Sequence, residues 1–277
     1  MIDVNQAYEI LSGDPNHKDR ESLEHTICSD AKCSYKYARN VIKGRWVLGE
    51  AAISQEARSS YFYARDVIDG RWELGEAAIS ENAEMSFWYA REIIGGRWEL
   101  GEAAISQEAR SSYFYALHAD ARYVIDRFVL GEAAISENAE MSFWYARQVI
   151  KGRFVLGEPA ISQSAEYSGR YARGVIKGRF ELGEPAISKD AKYAERYAKY
   201  FMKGNWTPEL ALMCPCWLYT YAKDIIKGRL PSTMHNKMLA FGMIDSSDKY
   251  VKKYLGSKKY CTLKGKDTKN DRRKSSV

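Results

Sequence analysis

Apolar residues between Ser54 and Gly70 recur at helical spacing. Ala57, Tyr61, Ala64 and Ile68 stand four, three and four positions apart, and Tyr63 and Val67 widen the same face. Ser54 is the expected N-cap, with Gln55 and Glu56 in the first turn. Gly70 is the expected stop, in the left-handed conformation that glycine adopts at least cost. Arg71 and Trp72 then open a second segment, in which Trp72, Gly75 and Ile79 share one face of a shorter helix. Glycine is costly inside a helix, so Gly75 implies a close backbone approach beneath a neighbouring aromatic ring. Pro159 and Pro185 fit the corresponding segments if each lies in a first helical turn, where the missing N–H matters little. The long helix is expected to span about 14 residues and the short one about 8. No segment alternates apolar and polar residues with period two, so strands are not expected.

This two-helix pattern recurs along the chain. Tyr-Ala-Arg begins at Tyr37, Tyr63, Tyr89, Tyr145 and Tyr171, and Gly-Glu at Gly49, Gly75, Gly101, Gly131, Gly157 and Gly183. The step is 26 residues except between Gly101 and Gly131, where it is 30. ISQEARSSYFYA occurs at Ile53 and Ile105, and ISENAEMSFWYAR at Ile79 and Ile135, so a two-unit block has been duplicated. Arrays grow this way because each unit contacts only its neighbours. The expected fold is all-α, an α-solenoid of stacked two-helix 26-residue repeats with a helical C-terminal cap. Residues 1–26 read as a degenerate capping repeat carrying Tyr8, Ile10, Leu11 and Gly13. Residues 27–229 form the tandem array. Residues 230–263 read as the cap, and 264–277 as a basic disordered tail.

One unit, 105–134, breaks the pattern. Five residues, Leu117 to Ala121, precede Arg122, and the terminating glycine is lost. Nothing there breaks a helix, so a single helix from about Ser106 to Asp126 is expected. Five residues rotate the downstream part of the helix by about 140° at ~100° per residue, which predicts a kink, a π-bulge or a step.

Composition and charge narrow the functional classes. The chain has 277 residues, five cysteines and no run of 18 apolar residues, so neither a disulfide framework nor a membrane span is expected. The N-terminus lacks the basic flank and apolar core of a secretory signal. These features together imply a cytoplasmic protein. Cys214-Pro215-Cys216 lacks zinc-site spacing, and Cys28 and Cys33 read as structural. The four histidines share no metal-binding or triad spacing, and no phosphate loop or serine elbow occurs, so no cofactor, metal or enzymatic activity is expected.

The recurring frame Arg-(Trp/Phe)-x-Leu-Gly-Glu pairs a cation with a carboxylate, as in Arg71 with Glu76, Arg97 with Glu102 and Arg153 with Glu158. An active site is a single constellation, whereas this set appears six times. It therefore reads as a structural ladder, with arginine bonding the glutamate or a helix C-terminus of a neighbouring unit, or stacking on a ring. The Tyr-Ala-Arg arginines Arg65, Arg91, Arg147 and Arg173 are the candidate binding surface, joined by His118 and Asp120 from the irregular unit. Rings beside arginines also suit single-stranded nucleic acid. From Lys249 onward, however, 11 Lys/Arg stand against 2 Asp/Glu, which leaves residues 1–248 at −3. A protein partner is therefore the leading expectation, and any nucleic-acid contact would have to come from Lys249–Lys274.

With these residues in place, the chain resembles a known group. Arrays reading Tyr-Ala-(Arg/Lys)-x-Val-Ile-Lys-Gly-Arg-(Phe/Trp)-x-x-Gly-Glu-x-Ala-Ile, closed by a segment like Leu230 to Gly242, look like repeat proteins of large tailed phages and other large DNA viruses. The likeness spans roughly Ala7 to Tyr260. It implies a virus-encoded interaction protein acting in the infected cell, with a host or viral protein as partner, and it implies no mechanism.

Overall fold

The computed structural model describes residues 2–118, 127–202, 208–213, 217–218, 221–228 and 230–234. Every regular element among them is helical. The chain forms two compact units, Met1–Gly157 and Glu158–Val277, each a stack of two-helix repeats. In the first, consecutive long helices touch one another, as Ala57–Tyr63 does Ala83–Tyr89, and so do the short helices Glu73–Ser80 and Glu99–Ile105. The second repeats the arrangement with Ala165–Tyr171 against Ala191–Phe201. The all-α repeat solenoid read from the sequence is the observed fold.

Each long helix has two parts. Residues Ala57–Tyr63 are α-helical, and Ala64–Ile68 widen into a π-helix. The same change follows Tyr37, Tyr89, Tyr145, Tyr171 and Tyr221. The long helix is thus 12 residues, two short of expectation. Its ends differ from the sequence reading as well. Glu56, not Ser54, is the N-cap, and its carboxylate accepts from the N–H groups of Arg58 and Ser59. Ser54 closes the preceding short helix instead, its hydroxyl donating to the Ala51 carbonyl at 3.0 Å. The left-handed residue is Asp69, with φ 55°, and not Gly70. The π turn shifts the closure by one position. Asp69 and Gly70 both donate their N–H to the single Ala64 carbonyl, a widened form of the usual helix-ending bond pair.

Gly75 matches expectation. A methyl group there would stand 2.5 Å from the Trp72 ring and 2.9 Å from Ser60 Cβ. Only a residue without Cβ lets the short helix sit under its own tryptophan and against the long helix before it. Ser60 completes the contact. Fully buried, it donates to the Ile53 carbonyl at 2.7 Å, satisfying the end of the previous short helix. Ser34, Ser86, Ser112, Ser142 and Ser168 repeat this bond.

Pro159 and Pro185 lie in the first turns of Glu158–Ser162 and Glu184–Ile187, as expected. A 3₁₀ turn precedes each of these helices, yet the same turn, Val129–Gly131, occurs where the chain has Ala133 in the proline position. The 3₁₀ turn instead follows Phe128, Phe154 and Phe180. The units with Trp46, Trp72 and Trp98 start their short helices directly as α. The indole N–H of Trp72 has no hydrogen-bond partner, so phenylalanine in its place forfeits no bond.

In the irregular unit the helix Ala109–His118 stays α-helical through Ala116, Leu117 and His118, where the units on either side turn to π. The remainder of the expected helix, including the candidate Asp120, lies outside the described residues, as does most of the expected cap and all of the tail. Cys214 and Cys216 fall outside them too. Cys33 is buried, and burial pushes its thiol up to about 11, which suits a packed side chain.

Candidate binding surfaces

The ladder is built from three residue types, one of which the sequence reading did not enlist. Arg71 forks onto Glu76 through Nε (2.7 Å) and Nη2 (3.1 Å). Both belong to the same repeat, whereas a neighbour's glutamate was among the partners expected. The link between repeats is Tyr89, from the next long helix. Its hydroxyl accepts from the backbone N–H of Trp72 at 2.9 Å and donates to Glu76 Oε1 at 3.0 Å. Arg97, Glu102 and Tyr115 repeat the set, and Arg127, Glu132 and Tyr145 resume it beyond the irregular unit. Arg153 belongs to one unit of the chain and Glu158 to the other, where Glu158 accepts from Tyr171 at 2.9 Å. The degenerate first repeat keeps the set in altered form: Arg20 bonds Glu24 at 2.8 Å and Tyr37 donates to Glu24 at 2.7 Å.

The signal for the tyrosine was present. Glutamate and tyrosine stay 13 residues apart from Glu50 and Tyr63 through to Glu184 and Tyr197, even across the irregular unit. The insertion falls between Tyr115 and Arg127, outside this span, so it leaves the ladder contacts intact. Burial raises the tyrosine pKa values, that of Tyr63 to about 12 and those of Tyr89 and Tyr115 further. The glutamates are buried, while Arg45, Arg71, Arg97 and Arg127 keep more than half of the side chain in solvent.

A second contact between repeats was not anticipated. Tyr35 donates to Asp66 and Tyr61 to Glu92, each at 2.5 Å, and Tyr113 donates to Gln148 at 2.9 Å. Each bond joins one long helix to the next. Phe87 takes the tyrosine position where the facing residue is His118, which offers no acid.

The candidate arginines divide into two groups. Arg65 is half-buried and engaged: it donates to Asp66 at 2.7 Å and to the Tyr61 hydroxyl at 3.3 Å, and lies over the Phe62 ring at 4.7 Å. It serves the stack. Arg91, Arg147 and Arg173 are exposed, each over one ring face: Trp88 at 5.2 Å, Trp144 at 5.6 Å and Tyr200 at 5.0 Å. His118 is exposed and stacks on Phe114, and partial burial together with the charge of Arg91 lowers its pKa. Trp88, Arg91, Arg110 and Phe114 share a cleft of about 440 Å³ with Glu84 and Glu108.

The short helices carry a feature that the recurrence concealed. Leu48, Leu74, Leu100, Leu130 and Leu156, one per repeat of the first unit, are 43–61% exposed. Val47, Val129 and Val155 beside them are 67–70% exposed, and Leu182 continues the pattern in the second unit. The two residues between Trp and Gly in the frame point away from the stack, because Gly75 and Trp72 take the inward positions.

No family model, no curated protein and no solved structure matches the chain. No helix among the described residues is long and apolar enough to cross a membrane.

Proposed function

We propose that the chain is a non-enzymatic repeat scaffold whose exposed surfaces bind a protein partner. The line of leucines carries this reading. A fold that buries the ladder tyrosine almost completely at every repeat gains nothing from leaving a leucine half in water at every repeat, and such lines mark protein contact surfaces. The polar groups that imitate an active site are spent on stacking, as Glu76 is occupied by its arginine and tyrosine. The resemblance to repeat proteins of large tailed phages and other large DNA viruses supports a virus-encoded scaffold acting in the cytoplasm of the infected cell, on a host or viral protein.

Affinity purification from infected cells after nuclease treatment, followed by mass spectrometry, tests the reading. A protein recovered in stoichiometric amount is the expected result. Recovery of nucleic acid alone, lost when Lys249–Val277 is removed, would replace it with a nucleic-acid role for the basic segment Lys249–Lys274.

A further inference from the structure

The second unit contains a cleft at the same place in the repeat as that of Trp88, Arg91, Arg110 and Phe114, but with a different lining. It lies between the long helix of 165–176 and the helix Ala191–Phe201, and holds about 380 Å³. From Tyr63 to Tyr145 the two positions before the ladder tyrosine carry rings, such as Tyr61 and Phe62 or Phe143 and Trp144. Here they are Gly169 and Arg170. A methyl group on Gly169 would meet only the Tyr193 ring, at 3.7 Å, so the space vacated by the missing ring remains open. Across the cleft Arg196 likewise stands in a ring position beside Tyr197, with Glu195 in the other, and Lys192 joins Arg196 in the lining from the facing helix. Four cations thus line the cleft against one carboxylate, Glu166, which Arg170 already holds at 2.6 Å. Arg173, Lys192 and Arg196 have no ion-pair partner among the described residues.

We infer that this cleft holds an acidic peptide segment of the protein partner, with carboxylates paired to Arg173, Lys192 and Arg196. The inference rests on the reading of the chain as a protein-binding scaffold. Two observations favour a carboxylate over a nucleobase. The ring faces are taken: Arg173 lies over Tyr200 at 5.0 Å and Lys192 over Tyr193 at 5.2 Å. A base would have to displace a cation to stack, whereas a carboxylate meets the N–H fork of a guanidinium that its ring already orients. The volume is also that of a site for a few side chains, too small for a duplex. Charge runs the same way, though modestly. Residues 1–157 carry 18 Lys/Arg against 24 Asp/Glu, and residues 158–248, which contain the cleft, carry 13 against 10.

Fluorescence anisotropy on the full chain tests this. The probe is a labelled decapeptide of alternating Glu and Gly, with the Gln-Gly decapeptide and a ten-nucleotide oligo-dT as comparisons. The Glu-Gly peptide is expected to bind, the Gln-Gly peptide not to. Combining Arg173→Gln, Lys192→Gln and Arg196→Gln is expected to weaken binding about tenfold or more. Neutralising Lys252, Lys253 and Lys258 instead, which matches the charge change in the basic segment, is expected to leave most of the affinity. Equal losses from the two triple variants, or oligo-dT held more tightly than the peptide and released by the cleft variant, would overturn the inference. A partner captured from cells equally well by wild type and the cleft variant would remove this site and leave the scaffold reading standing. Cleft-dependent peptide binding supports the site whether or not cells yield a partner, so the two readings fail separately.

Discussion

At the scale of single residues, the two glycines of each repeat have opposite roles. Gly75 sits under the Trp72 ring with no room for a methyl group, and Gly70 has nothing within 4 Å of where one would go. Gly75→Ala should therefore destabilise the protein by about 1–3 kcal/mol through overpacking. Gly70→Ala should be neutral, or stabilise by about 0.4–1 kcal/mol through the unfolded chain. Urea melts of the two variants check this, and a Gly70→Ala variant that melts earlier than wild type would return the left-handed position to Gly70. The role of Gly75 was legible in the sequence because a glycine that recurs inside a helix has few physical explanations. The role of Asp69 was not. A π turn and an α turn draw on the same residue types, and the switch moves the left-handed position by one without altering composition.

At the scale of the helix pair, stacking depends on a buried hydroxyl between two repeats. Tyr89→Phe strands the backbone N–H of Trp72 and removes a donor from Glu76, both buried, and should cost about 1–3 kcal/mol. Tyr61→Phe should cost less, since Glu92 keeps 35% of its side chain in solvent. Arg97→Ala should fall below Tyr115→Phe as well, because the arginine is 60% exposed. Chemical denaturation of all four variants gives the ranking, and an Arg97→Ala loss exceeding that of Tyr115→Phe would make the ion pair the main tie. The tyrosines also set a pH limit. Their pKa values are raised in the folded state, that of Tyr63 from 10 to about 12, so the folded chain favours the neutral hydroxyl. The resulting stability is complete below pH 10 and is lost as pH rises through 12. Melting temperature should fall across that window, and less steeply in Tyr63→Phe, as measured by circular dichroism. The constant 13-residue offset between glutamate and tyrosine made this bond available to sequence reading. What hid it was the pairing of Arg and Glu five residues apart, a cation and an anion that balance each other without a third member.

At the scale of the whole chain, recurrence itself was the source of both success and error. A 26-residue step with aromatic and small residues in fixed places leaves little choice of fold, and the repeat solenoid followed from it. The same step led almost every recurring residue except the Tyr-Ala-Arg arginines to be assigned to stacking. A block duplicated as recently as that at Ile53 and Ile105 copies surface positions as faithfully as core positions, so recurrence alone does not separate the exposed Leu74 from the buried Trp72. Exposure does separate them, and it leaves the leucines as the positions whose repetition the fold does not require. The most direct test is the joint variant Leu74→Ser, Leu100→Ser and Leu130→Ser, measured for melting temperature and for capture of the partner by the full chain. Unchanged or slightly raised melting with loss of the partner is the predicted result. Lost stability, or a partner retained at full strength, would contradict the assignment of this line to binding.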